Sequence, residues 1–100
     1  MTPVSKERWL SLSLAQQLGN IGSEVGRAAK WQGKDEKSFW GAVTRAIELF
    51  SLTQMDKRWQ KRRSEIDRAR EVFADAVLGG FEYKSNLNDL EKYFMLFALA

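Results

Sequence analysis

The chain has no cysteine and no histidine in its 100 residues. Without cysteine there is no disulfide framework and no thiolate metal site; this permits the cytoplasm, the setting expected here, and says little more about compartment. Without histidine the commonest general base and the commonest metal ligand are both gone. A single proline and seven glycines leave no material for a long linker, so residues 1–100 read as one domain. No stretch approaches the roughly 20 apolar residues of a membrane span. Met1 to Arg8 is polar and no cleavage pattern follows, so no secretory leader is read. Sustained period-2 alternation is also missing. Leu10-Ser-Leu-Ser-Leu14 alternates briefly, but inside a longer helical pattern.

What remains is helical periodicity. Four patterns separate. The first opens at Thr2-Pro3 or at Ser5 and runs through Trp31 to Gly33. The second opens at an Asp35 cap, carries Phe39, Ala42, Ala46 and Leu49 on one stripe, and stops around Leu52 or Thr53. The third opens at Asp56, turns Ile66, Ala69, Phe73 and Val77 inward, and ends on Gly79-Gly80. The fourth opens at Ser85, Asn86 or Asn88 and carries Leu87, Leu90, Phe94 and Phe97. Short connections predict an all-α, up-and-down antiparallel four-helix bundle. Its first helix is long, about 28 residues and about 40 Å. The segment Tyr93–Ala100 is apolar all round, which favours self-association or a native chain that continues past Ala100.

The first helix carries two stripes. Leu14, Leu18, Ile21, Val25 and Ala28 form a greasy seam, and Ala15, Gly19, Gly22, Gly26 and Ala29 form a bare one. Glycine inside a helix loses about 1 kcal/mol relative to alanine, so three of them call for a compensating close helix–helix approach. Two adjacent seams serve two neighbours, which a bundle supplies itself; a crossing between subunits is the alternative.

Positive charge is local. Net charge is +3, yet Lys57, Arg58, Lys61, Arg62 and Arg63 fall within seven residues, and the rest of the chain sums to −2. Cations in the first turns of a helix oppose its macrodipole, and Lys57/Lys61 and Arg58/Arg62 repel at i,i+4. With Trp59 among them, and Lys6, Arg8 and Trp9 expected at the same pole, the group suits phosphate contact with base stacking, or an acidic partner. The alternative is a solvated face balanced by Glu7, Asp56 and Glu65. Trp31 and Trp40 fall at the other pole with Phe81 and Tyr83, where large rings plug the core or line a pocket.

The acids do not assemble into chemistry. Glu24, Glu48, Asp67, Glu71 and Asp75 spread over three helices. The carboxylate metal sites of bundles use Glu-x-x-His, which cannot occur here. Paired E-x-x-E and E-x-x-D motifs of the all-α nucleotide pyrophosphohydrolases are missing, Glu71 with Asp75 coming nearest. The R-x-x-x-x-H motif of helical HEPN ribonucleases needs a histidine. The residues predict no enzyme, no cofactor and no metal.

Five blocks together, Arg8–Ala15, Asn20–Val25, Arg45–Leu49, Arg70–Phe73 and Glu91–Phe94, resemble a family of small uncharacterised bacterial helical proteins. The resemblance covers nearly the whole chain and implies a helical bundle, with no activity or site residues to carry over. In architecture alone the chain is similar to bacterial four-helix proteins encoded in ribosomal-RNA intervening sequences and to related retroelement accessory proteins. Those are basic oligomers that contact nucleic acid, and none of their sequence signatures is present here. The expectation is a non-enzymatic interaction module, a homo-oligomer or a subunit docking on a larger protein and not on a membrane. The alternative is an accessory protein that binds RNA or DNA irrespective of sequence through Lys57–Arg63.

Overall fold

Serine decides where the first helix breaks. Ser5 caps a short helix α1 (Lys6–Leu10), its Oγ accepting from the Arg8 amide at 3.2 Å. Ser11 and Leu12 close that helix by donating their amides to the Arg8 and Trp9 carbonyls. Ser13 then opens α2 (Leu14–Trp31) with a reciprocal capping box. Its Oγ accepts from the Gln16 amide at 3.1 Å and its own amide donates to Gln16 Oε1 at 2.8 Å. Serine hydroxyls compete with the helix ladder for backbone partners. The predicted long first helix is therefore two helices, and α2, with 18 residues, is no longer than its neighbour α3 (Glu36–Gln54) with 19. The computed structural model describes the backbone from Ser5 to Leu99 and side chains from Ser5 to Leu96. The alternative start at Thr2-Pro3 and the stripe position Phe97 lie outside the described residues.

The other boundaries follow local chemistry closely. Gly33 at φ +76° ends the turn after α2, and the Asp35 side chain accepts from the Ser38 amide to open α3. Asp56 caps the third segment as expected. That segment starts as a 3-10 helix (Lys57–Arg62), with Trp59 off helical geometry at φ −105° and ψ 18°, before α4 (Arg63–Val77). Gly79 and Gly80 both have positive φ, and a Cβ on Gly80 would stand 2.6 Å from the Ser85 carbonyl oxygen. Of the candidate caps for α5 (Leu87–Leu99), Asn86 is the one used, accepting from the Asp89 amide at 2.8 Å. No strand occurs among the described residues.

Helix α2 is packed on two sides, against α3 and α5. Its greasy seam is buried throughout. Contacts fix the directions. Gln17 meets Thr53 while Glu24 meets Arg45, so α3 runs back along α2. Gln54 meets Asp67 while Arg70 meets Ser51, so α4 runs back along α3. Gly22 faces Phe94 while Gly26 faces Glu91, so α5 also runs back along α2. The fully buried rings Phe50, Phe73 and Phe94 join α3, α4 and α5, with centroids 5.8 Å apart in both the Phe50–Phe73 and Phe50–Phe94 pairs.

The bare seam divides at Gly22. A Cβ there would stand 2.6 Å from Phe94 Cβ, so the missing side chain is what lets α5 approach. Seating Phe94, worth about 1.5–3 kcal/mol by burial, offsets the glycine penalty. Gly26 lies against the Glu91 carboxylate, the mobile end of a side chain that can move aside, so Gly22 is the closer constraint. Ala15 and Gly19 instead line an open groove with Ser13, Gln16, Asn20, Ser23 and Met95. Ala29 is half-buried against the core.

Candidate interaction surfaces

At the pole where α1, α2, α3 and the 3-10 segment meet, polar groups close on one another. Gln17 is fully buried and uses all of its side-chain capacity. Its Nε2 donates to the Trp9 carbonyl at 2.9 Å and to Asp56 Oδ2 at 3.1 Å. Its Oε1 accepts from Thr53 Oγ1 at 3.1 Å and Trp59 Nε1 at 3.0 Å. Thr53 in turn accepts from the buried Trp9 indole at 3.1 Å. No buried side-chain nitrogen or oxygen lacks a partner among the described residues.

Asp56 finishes the network. It caps the 3-10 segment by accepting from the Arg58 amide at 3.0 Å. It also takes the Arg58 guanidinium as a fork, Nε at 3.0 Å and Nη2 at 2.6 Å. The Arg58 side-chain bond outweighs burial and holds the Asp56 carboxyl at about 2, against an ordinary 3.8. Arg58 also donates to the Leu12 carbonyl at 2.7 Å, across the break between α1 and α2, and lies over the Trp59 ring at 4.4 Å.

The basic cluster therefore splits. Arg58 belongs to Asp56. Arg62 pairs with Glu65 at 2.8 Å, and Arg63 pairs with Asp67 at 2.8 Å while donating to the Gln54 carbonyl. The Arg63 and Gln54 bonds lower the Asp67 pKa. Lys57 and Lys61 are exposed with no partner among the described residues, as are the side chains of Lys6 and Arg8 on α1. Trp9 is buried and the Trp59 ring is half-buried beneath Arg58. The expected alternation of free cations with free indoles is reduced to lysines beside structural rings.

The acids hold separate local posts. Glu24, buried, pairs with Arg27 and with Arg45 Nε at 3.1 Å. Asp75 accepts from the Glu82 and Tyr83 amides at 3.1 and 2.9 Å and so organises the turn after α4. Glu71 accepts from the Tyr83 hydroxyl at 3.2 Å, which raises the Tyr83 pKa. Among the described residues no group of three or more acids could hold a metal ion, and no helix is long and apolar enough to cross a membrane.

Exposed apolar surface gathers elsewhere. At the far pole Trp40 is 48% exposed, edge-on to Phe39, and Phe81 is 83% exposed. Trp31 is half-buried with Lys30 over its ring. Along α5, Tyr93, Met95 and Leu96 are all exposed, Leu96 at 69%. Beside them α4 and α5 stand apart, leaving an open groove of about 490 Å³. Its floor is Ala69, Val72, Leu90 and Tyr93, and its charged rim is Arg62, Glu65, Arg68 and Asp89. Arg68 lies 5.1 Å over the Tyr83 ring without an acidic partner, and the Asp89 carboxylate has none either among the described residues. Sequence reasoning placed apolar surface near Tyr93 but missed the groove, which depends on the separation of two helices. It also missed Gln17 and Thr53; the one signal was a glutamine between Leu14, Leu18 and Ile21 on the buried face.

The chain matches no protein-family model, no curated protein and no solved structure.

Proposed function

We propose that the protein is a non-enzymatic interaction module in which α2 to α5 form an up-and-down antiparallel bundle that presents the α4–α5 groove and the exposed turn of α5 to another protein surface. The observation that carries this reading is the apolar floor of that groove, continuous with Tyr93 and Leu96 and rimmed by charge. Contiguous apolar surface bordered by polar groups is where soluble domains meet partners. A cytoplasmic setting and membership of a family of small bacterial helical proteins belong to the same reading. The test compares wild type with Leu96→Glu, measuring self-association by sedimentation and retained proteins from a cell extract of the source. Complexes of either kind should be lost in the variant while its circular dichroism stays helical. Complexes that survive the substitution overturn the reading.

The second reading is RNA or DNA binding, favoured by the unpaired Lys57 and Lys61 and by Lys6 and Arg8 on α1. It requires binding that falls steeply with salt and weakens when Lys57 and Lys61 are changed to glutamine. Binding unaffected by both removes it.

A further inference from the structure

We infer that the occupant of the α4–α5 groove is a second copy of this chain, related by a two-fold axis and held in register by crossed Arg68–Asp89 ion pairs. The inference rests on the proposed docking face and names its partner. The argument is charge complementarity. The groove has one uncompensated charge on each wall: Glu65 on the α4 side is neutralised by Arg62, whereas Arg68 on α4 and Asp89 on α5 line it from opposite sides, do not pair with each other, and have no other ion-pair partner among the described residues. A two-fold axis exchanges the walls, so Arg68 meets Asp89 twice over in a self-complementary interface. Because α4 and α5 run in opposite directions, an α5 turned about such an axis runs parallel to α4 and lies beside it. The axis is placed where Asp89 of the second copy comes level with Arg68. Apolar contact supplies the area, and the crossed charges select the register.

The test uses Arg68→Glu and Asp89→Arg, each alone and then mixed in equal amounts, with sedimentation equilibrium as the readout. Each variant alone sets like charge against like charge in both pairs, and its dimer dissociation constant should rise about tenfold or more. In the mixture every cross pair is again acid with base, and association should return to near the wild-type strength. Circular dichroism of each variant checks that α5 remains folded, since Asp89 stands in its first turn. Wild-type protein that stays monomeric, while Leu96→Glu still loses an extract partner, overturns the second copy and leaves the docking face standing. Self-association that Leu96→Glu abolishes but the charge reversals leave unchanged overturns the crossed register alone. No complex of any kind removes the docking face and the second copy together.

Discussion

The Gln17 pole and the α4–α5 groove each hold an arginine and an aspartate, and the two pairs end in opposite states. At the pole, an amide, a hydroxyl, two indoles, a carboxylate and a guanidinium satisfy one another around a fully buried glutamine. Along the groove, an arginine and an aspartate face each other across apolar floor without meeting. The difference is the distance between elements. Four segments converge at the pole, so short side chains reach. In the groove two helices stand apart, so neither charge does. Net charge alone says little here: three of the five clustered cations are held inside the chain, whereas the groove charges lie outside the cluster.

The comparison breaks most completely if the closest helix crossing is spoiled. Gly22→Leu puts a branched side chain where even a Cβ would stand 2.6 Å from Phe94 Cβ. The cost should exceed about 4 kcal/mol and abolish the cooperative thermal transition seen by circular dichroism. A helical, cooperatively melting monomer would instead place that crossing between subunits. Next in size is Gln17→Leu, which keeps side-chain bulk and leaves the Trp59 indole and the Thr53 hydroxyl without their acceptor. Urea unfolding should show a loss of about 3 kcal/mol, against less than about 1 kcal/mol for Arg68→Leu on the groove rim. Equal effects would mean that the two regions do not differ as described.

A smaller effect than that of Gln17→Leu comes from acid. The folded pKa of Asp56 is depressed, so its contribution is fully present above the ordinary 3.8 and is lost as pH falls through about 2. Across that window the stability of wild type should fall by about 2 kcal/mol through this group. Asp56→Asn should remove that component, read from denaturant midpoints at pH 5 and at about pH 2. A variant with the same acid slope as wild type would show that the Arg58 fork does not hold the carboxylate.

Much of the fold was legible because it is set by neighbours in sequence. Asp35 and Asp56 announced their caps, Gly79-Gly80 announced a stop, and the apolar stripes announced the buried faces. The break at Ser11–Ser13 was hidden because the apolar spacing continues across it, although Ser13 and Gln16 stand at capping-box separation. The neutralised cations were also within reach of sequence. Arg58 follows Asp56 by two, Arg62 precedes Glu65 by three, and Arg63 precedes Asp67 by four. Gln17 was harder, since its four partners come from positions as far away as Trp59, and only folding brings them together. The groove had no local signature at all.

The five-residue helix α1 is far too short to persist alone. It keeps its shape only while Trp9 is seated under Thr53 and its carbonyl is held by Gln17. Its hydrogen-bonded amides, those of Arg8 and Trp9, then become a gauge of the pole: they are released to solvent when the Gln17 network opens. Protection factors at Arg8 and Trp9 would report that opening equilibrium directly, apart from the unfolding of the chain as a whole.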